Sequence, residues 1–208
     1  MRNPVIGLIR RYRFGEPIVI VSGLPRSGTS MVMKMLDAGG FPILTDQIRR
    51  ADEDNPEGYF EYEPVKQLGS QRDKSWVRQA RGKALKVISH LVKELPPDNF
   101  YSVILVRRDL TEVLKSQNIM LKRRQQPNPI EDAQAEELYR KHLLSVQLHL
   151  QNSPNTEVLA MRFHEIVRDP LASAQQISRF VPGRLDPNRM AGVVNERLYR
   201  NRNPQPAT

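Results

Sequence analysis

The stretch Gly23-Leu-Pro-Arg-Ser-Gly28-Thr-Ser30 sets two glycines at the spacing of a phosphate-binding loop, G-x-x-x-x-G-K-[ST]. Thr29 stands where that loop has its lysine. Gly23 permits a tight turn, Gly28 lets bare backbone approach an anion, and the N–H groups that follow open a helix. Ser27, Thr29 and Ser30 add hydroxyl donors. Without the lysine, nothing in the loop reaches the β- and γ-phosphates, which argues against ATP or GTP hydrolysis. Arg26 brings a permanently charged fork of donors instead, suited to a donor with a terminal anionic group.

The elements that must position this loop are readable on either side of it. Residues 17–22, "PIVIVS", are nearly all apolar and β-branched, as in a strand buried on both faces of a parallel sheet. Met31, Val32, Met35 and Leu36 then recur at helical spacing until Gly39-Gly40 and Pro42 stop the helix. Strand-length apolar runs return at 83–89, 101–106 and 156–163. Between the last two, Ala135, Leu138, Leu143, Val146 and Leu150 form a stripe near the 3.6 period, behind an acidic start. Asp169-Pro170 caps a further helix striped by Leu171, Ala174, Ile177 and Val181.

Strands alternating with helices predict an α/β fold: a P-loop-like three-layer sandwich with a mostly parallel central sheet flanked by helices. We expect a basic tail at 1–15, one domain over 16–198 and a tail at 199–208. Residues 39–61 and 123–132 read as irregular, and the first is long enough for a functional loop.

The 208 residues suit one core, and 39% hydrophobic with 26% charged residues is a globular composition. A net charge of +9, from 32 Lys+Arg against 23 Asp+Glu, favours an anionic partner. No recognisable nucleic-acid module is present, so no specific nucleic-acid partner is expected. Cysteine is absent, which excludes disulfides and thiolate metal sites. No apolar run approaches the ~18 residues of a transmembrane helix, and no secretory signal is read at the start. A cytoplasmic location is the expectation.

Pro25-Arg26-Ser27-Gly28-Thr29-Ser30 after a buried strand resembles the sulfotransferases, whose 5′-phosphosulfate loop reads P-x-[RK]-S-G-[ST]-[ST]. The residue between Pro and Arg is absent here. The second resemblance is "LVRRDLTEVLKS", with Arg108 at a strand end and Ser116 eight residues later. In that family a strand–Arg–x₇–Ser pattern holds the 3′-phosphate of 3′-phosphoadenosine-5′-phosphosulfate (PAPS). The spacing favours Arg108 over its neighbour Arg107, and ligands of open α/β sheets bind beyond strand carboxyl ends. Segments 54–64, 162–181 and 198–202 are similar more weakly, so the resemblance runs from about 17 to 202.

The resemblance implies transfer of a sulfuryl group from PAPS to a hydroxyl or amine, with PAP as product and no metal required. Pro25, Arg26, Ser27, Gly28, Thr29, Ser30, Arg108 and Ser116 would bind the donor, and Arg26 would also stabilise the transferring group. Three residues compete as base. His90 is ranked first, because "SHLVKELPP" resembles the K-T-H-L-P…L-L-P segment of cytosolic members, although Lys86 lies four residues ahead rather than two. Asp46 is second, 20 residues after Arg26, at about the distance of a catalytic glutamate in protein-tyrosine members. Glu61 is third. Trp76, Tyr59 or Phe60 can stack on a ring or line the core, and 39–82 is expected to build the pocket of an unidentified acceptor. Two other readings stay open: a P-loop nucleotide or small-molecule kinase with Asp109 as its carboxylate, and a catalytically silent anion-binding P-loop protein.

Overall fold

A computed structural model describes residues 4–46, 48, 58–128 and 130–195. The expected tail at 199–208, the similar segment at 198–202 and much of the irregular stretch 39–61 lie outside the described residues. Helix α1 (Pro4–Phe14) comes first, where the sequence reading placed a tail. Strand β1 (Ile18–Gly23) and helix α2 (Thr29–Ala38) follow, then the short helix α3 (Glu63–Lys66). A 3₁₀ segment (Ser75–Ala80) leads to β2 (Ala84–Lys86), and another (Ser89–Glu94) leads away from it. Strand β3 (Tyr101–Arg107) precedes α4 (Leu110–Arg123) and α5 (Asp132–Asn152). Strand β4 (Thr156–Arg162), then α6 (Phe163–Arg168), α7 (Pro170–Phe180) and α8 (Pro187–Gly192), complete the order.

The four strands form one parallel sheet in the order β2-β1-β3-β4. Side chains alternate across a strand, so β1 feeds both faces. Val19 and Val21 pack with Met33, Leu36, Ile166 and Ile177 on one side. Ile18 and Ile20 pack with Leu68, Leu85, Val146 and Leu150 on the other. Both faces of the sheet are therefore covered, giving the three layers that the uninterrupted apolar run of β1 requires.

Two details depart from the periodicity. Leu138 and Leu171 are exposed rather than in the core: on α5 Tyr139 packs inward instead of Leu138, and on α7 Leu171 lies in the first turn, ahead of the buried Ala174 and Ile177. The 83–89 run pairs only over Ala84–Lys86, since Ser89 begins a 3₁₀ turn. Among the described residues, no helix is long and apolar enough to cross a membrane.

Candidate functional site

Register fixes the site. Gly23 pairs with Val106 and Val21 with Lys86, so β1, β2 and β3 all end at the same edge of the sheet. The glycine loop leaves β1 at that edge and delivers the chain into α2. A Cβ on Gly23 would lie 2.4 Å from Ser27 Oγ and 2.6 Å from Val106 O, so only glycine fits there. Gly28 has φ +101°, and a Cβ on it would meet the Phe163 ring at 2.3 Å. Between them Arg26 holds φ +70°, a left-handed conformation that costs a non-glycine residue about 1–2 kcal/mol. Strain of this kind persists only where surrounding contacts dictate it.

Those contacts come from the second sequence motif. Arg26 Nε donates to Ser116 Oγ at 2.9 Å, joining the loop to the seventh residue of α4. Arg108 Nη1 donates to the Arg26 carbonyl at 3.1 Å. Its Nε donates to Glu112 Oε2 at 2.9 Å, and its guanidinium lies 4.5 Å from the Phe163 ring centroid. The Arg108 and Glu112 side chains are only 9% and 5% exposed, so the pair is a buried strut. Arg107, the competing arginine, instead reaches toward Gln147 of α5. The structure thus brings Arg26, Arg108 and Ser116 together.

A cation that the sequence reading did not place in the site completes it. Lys86 ends β2, and its ammonium donates to Ser30 Oγ at 3.2 Å and to the Tyr59 carbonyl at 2.7 Å. It also lies 3.9 Å from Glu61 Oε1 and over the Tyr59 ring at 5.8 Å. The side chain is 8% exposed. An amino group therefore does reach this loop, from the neighbouring strand rather than from position 29. The available signal was a charged residue inside the apolar run 83–89. Glu112 had a signal too, its four-residue spacing from Arg108 on a helix.

The loop also holds polar atoms that want partners. Among the described residues, Ser22 Oγ and Ser27 Oγ are buried without a hydrogen-bond partner. Helix α2 begins at Gly28 with no side-chain cap. A buried unsatisfied hydroxyl is unusual enough to need an explanation, and an anion seated in the loop supplies one.

The three base candidates fall in different places. Glu61 lies between two ammonium groups, 3.9 Å from Lys86 and 3.7 Å from Lys66. Asp46 accepts from the backbone N–H of Glu63 at 2.5 Å and of Ile48 at 3.0 Å. Partial desolvation pushes its carboxyl up, but those N–H groups prevail and hold it below the ordinary value. His90 stacks on His142 of α5, ring centroids 4.0 Å apart and 11° from parallel. Burial against that ring lowers its pKa. His142 is lowered by burial first, then by His90 and Lys93, and its Nε2 lies 2.9 Å from Ser89 Oγ. His90 is thus turned to α5, whereas Glu61 is joined to the loop through Lys86.

Other expected positions resolve simply. Asp109 caps α4, accepting from Thr111 and Glu112, and the Thr111 hydroxyl above all holds its carboxyl low. Trp76 donates to Gln71 and packs on Tyr62 at 5.5 Å, while Tyr59 is buried beside Lys86. Among the described residues, no group of three or more His, Cys, Asp or Glu side chains is arranged to hold a metal ion.

Comparison with known proteins gives a family. The sulfotransferase domain family matches residues 16–206, which include the loop, Lys86, Arg108 and Ser116. No curated protein matches the sequence. Among solved structures, the chain is similar to the "Sulfotransferase Domain from the Curacin Biosynthetic Pathway", at 12% identity and a TM-score of 0.46. That similarity covers 92% of this chain and 93% of the other. A family match spanning nearly the whole sequence decides the question that the lysine-free loop raised: this chain belongs to the sulfotransferase domain family.

Proposed function

We propose that the protein transfers a sulfuryl group from PAPS to a hydroxyl or amine of an acceptor. The observation that carries this reading is the junction of the two donor motifs, Arg26 Nε on Ser116 Oγ with Arg108 on the Arg26 carbonyl. Three cations, Arg26, Lys86 and Arg108, converge on one loop whose buried Ser27 hydroxyl has no partner among the described residues. These residues fit a donor with two separate anionic ends. The loop, Ser27, Thr29 and Ser30 would hold the 5′ end, and Arg108 with Ser116 the 3′-phosphate.

When bound, PAPS supplies a sulfuryl group whose S–O bond to the 5′-phosphate breaks as the acceptor oxygen or nitrogen bonds to sulfur. Arg26 and Lys86 offset the negative charge that develops on the transferring group and on the leaving phosphate. Both are already held in place, so little reorganisation is needed at the moment of reaction. Glu61 is our choice of base, because it sits beside Lys86 and a carboxylate there can take the acceptor proton. His90 is second and Asp46, engaged as a cap for Glu63, third.

Calorimetry of the purified protein with PAP, and with ATP plus Mg²⁺, tests the donor assignment. Micromolar PAP binding that weakens at least tenfold in Arg108→Ala supports it. A preference for ATP with Mg²⁺ and indifference to the 3′-phosphate would make the protein a kinase, although Asp109 already serves as a helix cap.

A further inference from the structure

Helix α1 turns apolar side chains away from the domain. Leu8, Ile9 and Tyr12 are 70%, 60% and 95% exposed. At helical spacing these three fall within an arc of about 100°. Arg11 borders the arc on one side and Arg13 on the other, and both are exposed. Arg10 faces the opposite way, its guanidinium 5.1 Å from the ring of buried Phe100, and fastens the helix to the start of β3. Arg11 pairs with Glu16 just past the helix end, and no acidic residue precedes Glu16 in the sequence. The inward face thus carries Arg10 with half-buried Phe14 four residues on, while the face of Leu8, Ile9 and Tyr12 turns outward with nothing packed on it among the described residues.

We propose that α1 lies on an anionic lipid surface, with Leu8, Ile9 and Tyr12 among the acyl chains and Arg11 and Arg13 at the headgroups. An apolar arc flanked by arginines is the arrangement of helices that lie in a bilayer interface. Charge complementarity selects anionic over zwitterionic lipid, since the helix contains arginine and no acid, and Arg81 packs beside its exit at Gly15. Placement also fits. Helix α1 feeds the start of β1 and the glycine loop leaves its end, so the six residues of β1 put about 20 Å between them. A docked helix leaves the loop open to solvent. This inference does not depend on the identity of the sulfuryl donor.

Vesicle cosedimentation of the full chain is the test, with phosphatidylcholine alone and with about 30 mol% phosphatidylserine. Binding to the anionic vesicles, falling with salt, is expected, and roughly tenfold weaker binding in both Leu8→Ser/Ile9→Ser and Arg13→Glu. These exposed substitutions should leave the melting temperature unchanged. In Tyr12→Trp, tryptophan fluorescence should shift to the blue when anionic vesicles are added. Equal binding by parent and Leu8→Ser/Ile9→Ser, or no binding at all, overturns the proposal. So does a dimer that Leu8→Ser/Ile9→Ser dissociates, which would make the face a contact between two copies of the chain.

Discussion

Arg26 and Ser116, 90 residues apart in sequence, share a 2.9 Å hydrogen bond that ties the glycine loop to helix α4. Through it the loop and the helix are coupled, so on the proposed donor assignment removing either partner acts on both ends of the site. Ser116→Ala should weaken PAP binding about tenfold, and Arg26→Ala by 10- to 100-fold, from loss of one or more charge-assisted bonds. Calorimetry checks this, and unchanged affinity in both variants would remove the site from this loop.

Arg108 does two jobs, and they can be separated. In Arg108→Ala, buried Glu112 loses the Arg108 guanidinium, which costs about 3–5 kcal/mol of stability as well as the proposed donor contact. Arg108→Ala/Glu112→Ala should recover much of the stability and none of the PAP affinity. Urea denaturation beside calorimetry reads the two effects independently.

Gly28→Ala should destabilise by at least about 2 kcal/mol, because a Cβ meets the Phe163 ring and φ +101° is hostile to any side chain. A double-mutant cycle with Phe163→Ala separates the two causes. A coupling near zero would leave backbone strain as the whole effect.

Glu61→Gln is expected to cut sulfuryl transfer by about 10²- to 10⁴-fold while PAP affinity changes less than about threefold. His90→Ala should retain most turnover. The readout is labelled PAPS with an acceptor found by screening, and the reverse pattern would return His90 to first place.

The stacked histidines make stability fall in mild acid. Both imidazoles are held below the ordinary histidine value of about 6.5 in the fold, so the unfolded chain takes up protons that the native one refuses. Stability is complete while both states are neutral and declines as pH drops through the unfolded value near 6.5 toward the lower folded ones. Urea midpoints at about pH 7.5 and about pH 5.5 should differ more in the parent than in His142→Gln. Equal differences would show that the pair carries no linkage.

Much of this was legible before any coordinates. β1 and α2 are local patterns, and each predicted its element. The resemblance to the family's Arg–Ser spacing favoured Arg108 over Arg107; in space Arg107, the last residue of β3, reaches toward Gln147, and Arg108, just past the strand, donates to the Arg26 carbonyl. Lys86 escaped because its role depends on which strand lies beside β1, and no periodicity states that. His90 was favoured by likeness to a family segment; in space the chain turns at Ser89 and stacks the ring on His142 of α5. Residues 1–15 read as a tail from their terminal position and basic charge, and α1 occupies Pro4–Phe14 of that stretch.

Lys86 comes to Ser30 across 56 residues of chain. A peptide that contains the loop alone therefore lacks this ammonium, which reaches Ser30 only when β2 has paired with β1. A loop grafted onto another scaffold would keep the glycines and Arg26 and lose the Lys86 ammonium. On the proposed donor assignment, a ligand held by Lys86 as well as the loop binds only the folded chain, so it should raise the unfolding midpoint with the logarithm of its concentration. Substrate and folding are then two readings of a single assembly event.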